Sequence, residues 1–136
     1  MHLMRILIVD DEITSCSKLT AMLEAYGKCE TACSGDEAIK KFLEACKSEE
    51  PYDLITMDID MPGKSGLEVN EFIRAWETEN AIPEEVKVKI LVVTGMTDRK
   101  ILANSCISGA ENALVKPVCL EELSEALEAM GIVPQY

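Results

Sequence analysis

The sequence predicts an α/β domain built on a parallel sheet with helices on both faces. Three observations carry this. Short apolar runs, Arg5-Ile6-Leu7-Ile8-Val9 and Asp53-Leu54-Ile55-Thr56-Met57 among them, read as buried parallel strands. Strand and helix patterns alternate about five times, which implies right-handed crossovers between parallel strands. The apolar runs also end in polar clusters, where ligand sites form in open parallel sheets.

The first strand is expected near residues 5–9. A helix follows from about Ile13 to Tyr26, with Gly27 as its C-terminal stop. The second strand, near 28–33, is less apolar and suits a sheet edge. Ser34 and Gly35 precede a helix with Ala38, Ile39, Phe42, Leu43 and Cys46 on one face. Pro51 introduces the third strand, and a loop with Gly and Pro spans 59–66. The third helix carries Leu67, Phe72, Ile73 and Trp76, and Asn80–Glu85 is a polar connector. The fourth strand is Val88–Val93, ending in Thr94-Gly95. Thr97 caps a helix running to about Ile107, and Gly109 closes it. A short fifth strand, Ala113–Val115, leads to Lys116-Pro117. The last helix is Leu120–Met130, stopped by Gly131.

At 136 residues the chain suits one domain, with its core at about residues 4–131. The formal net charge of −12 argues against nucleic-acid and anionic-membrane surfaces, which want clustered Lys and Arg. It favours solubility and basic or apolar protein partners. The apolar runs are too short to span a bilayer. Met1-His2-Leu3-Met4-Arg5 leads directly into the first strand with no signal peptide, and Met4 is a possible native start. The six cysteines form no C-x-x-C pair. Cys29 and Cys33 share a strand face, but small buried thiols in a reducing compartment are the expected reading.

The acids at strand ends are the most informative feature. Asp10-Asp11-Glu12 ends the first run, and Asp58-Ile59-Asp60-Met61-Pro62-Gly63 ends the third. Carboxylates converging at one edge need a cation between them, which points to a metal ion and phosphate chemistry. All candidate ligands are oxygens, which suits Mg²⁺ (or Mn²⁺). The plainer reading of Asp10 and Asp11 is that they cap the first helix. His2, the only histidine, lies before the first strand and away from the predicted site.

These motifs resemble the receiver domain of bacterial two-component response regulators. The matching pieces are Asp10-Asp11-Glu12, Met57-Asp58 with Met61-Pro62-Gly63, Thr94-Gly95, Gly109-Ala110 and Lys116-Pro117. The resemblance implies a flavodoxin-like (βα)5 fold with strand order 2-1-3-4-5 and one receiver domain over 1–136. It makes Asp58 the phosphoacceptor. Asp11, Asp58 and the backbone carbonyl of Asp60 bind the metal directly, and Asp10 acts mainly through water. Lys116 places its ammonium on the phosphoryl group, aimed by a cis bond to Pro117. Thr94 donates its hydroxyl to a phosphoryl oxygen, and Gly95 leaves room for it. The phosphoryl donor is a histidine kinase, a histidine phosphotransfer protein or a small acyl phosphate. The domain is then a cytoplasmic switch, at most slowly self-dephosphorylating, that signals to a downstream protein. The default output surface includes Lys100, Ile101, Asn104, Ala113 and Glu122, where families of this kind often dimerise.

Two departures stand out. Ala113 occupies the position where the family carries Tyr or Phe, so the usual aromatic switch cannot operate. Signalling then passes through the 95–98 loop and the helix after it, or a partner reads the face near the first helix. Asp60 adds a carboxylate two residues after the acceptor and is expected to alter phosphoryl lifetime. Two further readings remain open: a receiver segment of a larger hybrid kinase or regulator, and a haloacid-dehalogenase-type phosphatase suggested by Asp58-Ile59-Asp60. Against the phosphatase, its motif continues to Thr or Val where Pro62 stands, and it sits on a first strand. No G-x-G-x-x-G or P-loop follows any strand.

Overall fold

The structure is a computed structural model and describes residues 3–95 and 109–135. Five parallel strands lie in the order β2-β1-β3-β4-β5. They are β1 (Arg5–Val9), β2 (Lys28–Ala32), β3 (Leu54–Met57), β4 (Lys89–Thr94) and β5 (Asn112–Val115). The described helices are α1 (Ile13–Leu23), α2 (Gly35–Lys47), α3 (Gly66–Glu79) and α4 (Leu120–Ala129). A 3-10 turn at Glu84–Val86 shapes the connector before β4. This is the flavodoxin-like order that the resemblance implies. The helix expected over 97–107, and with it Lys100, Ile101 and Asn104, lies outside the described residues.

Strand alternation decides which face each side chain serves. Leu7, Val9, Ile55, Met57, Ile90 and Val92 pack with Ala38, Phe42, Ala45, Val69 and Ile73 under α2 and α3. Ile6, Ile8, Leu54, Leu91 and Val93 pack with Leu19, Leu23, Leu123 and Leu127 under α1 and α4. Because β1 and β3 are buried on both faces, their sequences are predominantly apolar rather than alternating. Each such Leu or Ile contributes about 1.5–3 kcal/mol by leaving water. No helix among the described residues is long and apolar enough to cross a membrane.

Several local expectations change. The first helix ends at Leu23 rather than Tyr26, and Gly27 is not its left-handed stop. A Cβ at Gly27 would lie 2.2 Å from the Met4 carbonyl oxygen, so this glycine allows β2 to pass close to the chain entering β1. Two helices instead close on non-glycine residues with positive φ, Glu49 at 62° and Ala81 at 51°. The Glu50 amide returns to the Ala45 carbonyl and the Ile82 amide to the Glu77 carbonyl, each 3.0 Å, a Schellman closure. Phe72 of the third helix is 38% exposed, while Val69, Asn70 and Ile73 face the core. Cys33 lies just beyond β2 and is exposed, whereas Cys29 is half-buried, so the two share no strand face.

The caps locate α2 and α3. Ser34 accepts from the Glu37 amide at 3.1 Å as the N-cap of α2, and Glu37 reaches back past it to accept from the Cys33 amide at 2.9 Å. Ser65 accepts from the Glu68 amide at 3.3 Å to start α3.

Candidate functional site

The strand order makes β1 and β3 adjacent, with Val9 opposite Met57. The next residue on each is an aspartate. Asp10 is held by its amide donating to the Ala32 carbonyl at 3.1 Å, and Asp58 by its amide donating to the Val9 carbonyl at 3.0 Å. The last ladder bonds therefore aim two carboxylates at the same edge. Both are inside the protein, Asp10 at 1% and Asp58 at 4% exposure. Asp11, next along the turn, is exposed. Carboxylate oxygens of Asp10, Asp11 and Asp58 lie within 4.8 Å of one another.

Each carboxylate is further fixed. Asp10 Oδ1 accepts from the Glu12 amide at 2.9 Å. This bond closes the turn before α1, whose N-cap is Glu12 with no side-chain cap bond, so neither Asp10 nor Asp11 caps the helix. Asp58 Oδ1 accepts from the Asp60 amide at 3.3 Å. Gly66 is needed for the same reason as Gly27: a Cβ there would sit 2.2 Å from the Asp58 carbonyl oxygen. The start of α3 thus packs directly against the backbone of Asp58. Asp60 itself is exposed on the loop after β3.

Lys116 closes the site from the end of β5, where its amide donates to the Thr94 carbonyl at 2.8 Å. The Lys116-Pro117 bond is cis. Its ammonium donates to Asp10 Oδ2 at 2.6 Å and stands 3.7 Å from Asp58 Oδ2. Of these two partners Asp10 is the closer. Two further neighbours complete its shell, Ser15 Oγ at 3.4 Å and Glu12 Oε1 at 3.7 Å. Glu12 was visible as the third acid of the first run; Ser15 carried no signal, since it meets Lys116 across the fold. Thr94 is fully buried at the end of β4. A Cβ on Gly95 would meet no atom of the described residues within 4 Å. Ala113 lies on β5 opposite Val92 and packs on the core under α2 and α3.

The charges shape the chemistry. Burial, first, and the Asp10 and Asp11 charges push Asp58 up from 3.8 to about 6, while Lys116 and the Asp60 amide pull it down. At neutral pH it is mainly an anion, held in a place that disfavours anions. Burial lowers the Lys116 pKa, but the Asp10 hydrogen bond and the Asp58, Asp10 and Glu12 charges outweigh it and leave it raised. Burial, followed by the charges of Asp10 and Cys33, holds the Cys16 thiol at about 11.

The donor set fits a small hard cation. It is all oxygen, with the three carboxylates within 4.8 Å of one another, the ligand type that Mg²⁺ takes.

A second polar network lies away from this site. Arg74 on α3 donates to Glu77 at 2.6 Å, to the Gly109 carbonyl at 2.9 Å and to Glu111 at 2.8 Å. Glu77 is 2% exposed and also accepts from the Val88 amide at 2.9 Å. A Cβ at Gly109, where φ is +103°, would lie 2.5 Å from Arg74 Cγ. This network ties α3 to the approaches of β4 and β5.

Comparison with known proteins converges on one family. The response regulator receiver domain model matches residues 6–128. Over 127 residues the chain is 31% identical to a probable chemotaxis protein CheY of Rhizobium etli, covering 93% of this chain and 91% of that one. The response regulator protein TrrA of Thermotoga maritima, solved in complex with Mg²⁺ and BeF, matches with a TM-score of 0.75. It is 35% identical, covering 94% of this chain and 99% of that one. A co-crystal of the Saccharomyces cerevisiae histidine phosphotransfer protein Ypd1 with the receiver domain of Ssk1 matches at a TM-score of 0.79. That match is 25% identical and covers 98% of this chain and 94% of that one.

Proposed function

Since the chain belongs to the response regulator receiver domain family, we propose that Asp58 is its phosphoacceptor, with a divalent cation held by Asp10, Asp11 and Asp58. The observation that carries this reading is the convergence of three carboxylates within 4.8 Å under one lysine ammonium. Receiver domains serve two-component signal transduction as switches, and this chain is one of them.

The chemistry follows from the residues. An Asp58 carboxylate oxygen attacks phosphorus as the phosphorus–nitrogen bond of a phosphohistidine breaks, leaving an acyl phosphate and a neutral imidazole. The Asp60 amide on Oδ1 limits rotation of the carboxylate, leaving Oδ2 towards the open side. Mg²⁺ or Mn²⁺ supplies neutralisation of charge on the phosphoryl oxygens. Asp11 and Asp58 would hold it directly with the Asp60 carbonyl, and Asp10 would act mainly through water. Lys116 moves from Asp10 to the phosphoryl group, where its compact charge is most useful. Thr94 donates its hydroxyl to a phosphoryl oxygen, and Gly95 leaves room for the group.

The phosphoryl group adds a charge of about −2 and biases loops between two arrangements. Ala113 supplies no ring to turn inward, so the response passes through the segment after Gly95. The donor is a histidine on a kinase or phosphotransfer protein, and the reader is a downstream protein; self-association is a further possible output. Such partners place the domain in the cytoplasm. The chemistry is the same whether or not the domain is joined to further sequence.

The test is incubation with acetyl phosphate and Mg²⁺, followed by intact-mass measurement. The wild type gains one phosphoryl group, and Asp58→Ala or added EDTA abolishes the gain. An undiminished gain in Asp58→Ala contradicts the assignment.

A further inference from the structure

We propose that Cys16 and Cys33 form a thiol pair that closes into a disulfide beside the acidic site. Both line one cleft between α1 and the end of β2, with Ile13, Thr20 and Thr31. The Cys16 thiol donates to the Asp10 carbonyl oxygen at 3.3 Å. The Asp10 amide in turn donates to the Ala32 carbonyl at 3.1 Å, and Ala32 is bonded to Cys33. The Asp10 backbone therefore meets both the Cys16 sulfur and the residue before Cys33, and closing the bond requires the two Cα atoms to stand about 4.4–6.8 Å apart. The two thiols also differ in access: Cys33 is exposed and Cys16 is 8% exposed. Cys29, Cys46 and Cys119 do not line this cleft.

The reaction needs a small-molecule disulfide as oxidant. The Cys33 thiolate attacks one sulfur of it, forming a mixed disulfide and releasing one thiolate. Cys16 gives its proton to solvent and attacks the Cys33 sulfur, expelling the second thiolate. Two cysteine thiols become one disulfide, and the oxidant becomes two thiols. The new bond ties the first turns of α1 to the segment after β2, on either side of the turn that holds Asp10 and Asp11. Slower phosphoryl uptake follows from that constraint, and this consequence alone rests on the proposed role of Asp58.

The experiment exposes the wild type to oxidised glutathione, alkylates remaining thiols and maps peptides without reduction. A linked peptide pair containing Cys16 and Cys33 is expected, absent in Cys33→Ser and reversed by dithiothreitol. A reaction that stops at a glutathione adduct on Cys33, or links either residue to another cysteine, overturns the pair. Oxidised and reduced samples are then given acetyl phosphate and Mg²⁺. Uptake slows by about tenfold or more in the oxidised sample, as about 1 Å of misplacement costs up to ~10²-fold. Equal rates overturn the functional consequence. The reduced sample reports separately on Asp58, because a failure of that chemistry appears there whatever the peptide map shows.

Discussion

Replacing Asp58 with Asn should make the metal-free protein more stable. The Asp58 carboxylate is 4% exposed, and burial with two neighbouring acids moves it from 3.8 to about 6. At about 1.4 kcal/mol per unit, that shift corresponds to about 3 kcal/mol of native-state strain once the group is ionised. The sign follows from proton counting. Between pH 3.8 and about 6 the folded form holds a proton that the unfolded chain has released, so wild-type stability falls as pH rises through this window. Above it the full penalty is present, and below it the penalty is absent. Asn never carries the charge. Urea unfolding should show Asp58→Asn more stable by about 3 kcal/mol near pH 8, roughly 10 °C in Tm. The excess should shrink to nothing below about pH 4. Mg²⁺ at a hundred times its Kd should add about 2.7 kcal/mol to the wild type and far less to Asp58→Asn. Equal stabilities of the two proteins near neutrality, without metal, would refute the reasoning.

Lys116→Met removes the ammonium that lies 2.6 Å from the buried Asp10 carboxylate. It should cost about 3 kcal/mol or more in urea unfolding without metal, with Mg²⁺ restoring part of the loss. Ala81→Gly relieves a left-handed residue at φ 51° and should stabilise by about 1 kcal/mol, with no change in phosphoryl uptake. Asp60→Asn removes a carboxylate from the loop after the acceptor and should change the half-life of the phosphorylated protein, followed by intact mass. An unchanged half-life would remove any role for Asp60 in its hydrolysis.

The sheet was legible because β1, β3 and β4 are buried on both faces, so their sequences are dominated by apolar residues until the strand ends. The same property made Asp10 and Asp58 conspicuous, since each is the first charged group after a dry run. Their partnership with Lys116 was legible only through the family motif, because nothing local links residues that lie 58 and 106 positions apart. Gly27 was misread because a glycine after a helical pattern ordinarily signals a left-handed cap. Here its use is close backbone approach; Gly131 is the left-handed stop expected of the last helix, while those of α2 and α3 fell to Glu49 and Ala81, residue types that carry no such signal. Arg74 and Glu77, spaced i,i+3 on a helix, look like a solvated surface pair. Their burial depends on the Val88 and Gly109 backbones meeting them from other elements, which no local pattern encodes. Cys33 invited comparison with Cys29 through strand periodicity, yet its neighbour across the fold is Cys16.

The claim on which the account rests is that Asp10, Asp11 and Asp58 serve one hard cation. The most direct measurement is a crystal soaked in Mn²⁺, with the ion located by anomalous scattering. The account predicts a single ion about 2.0–2.6 Å from oxygens of Asp11 and Asp58, with Asp10 reaching it mainly through water. An ion bound elsewhere, with these three side chains turned apart, would contradict it.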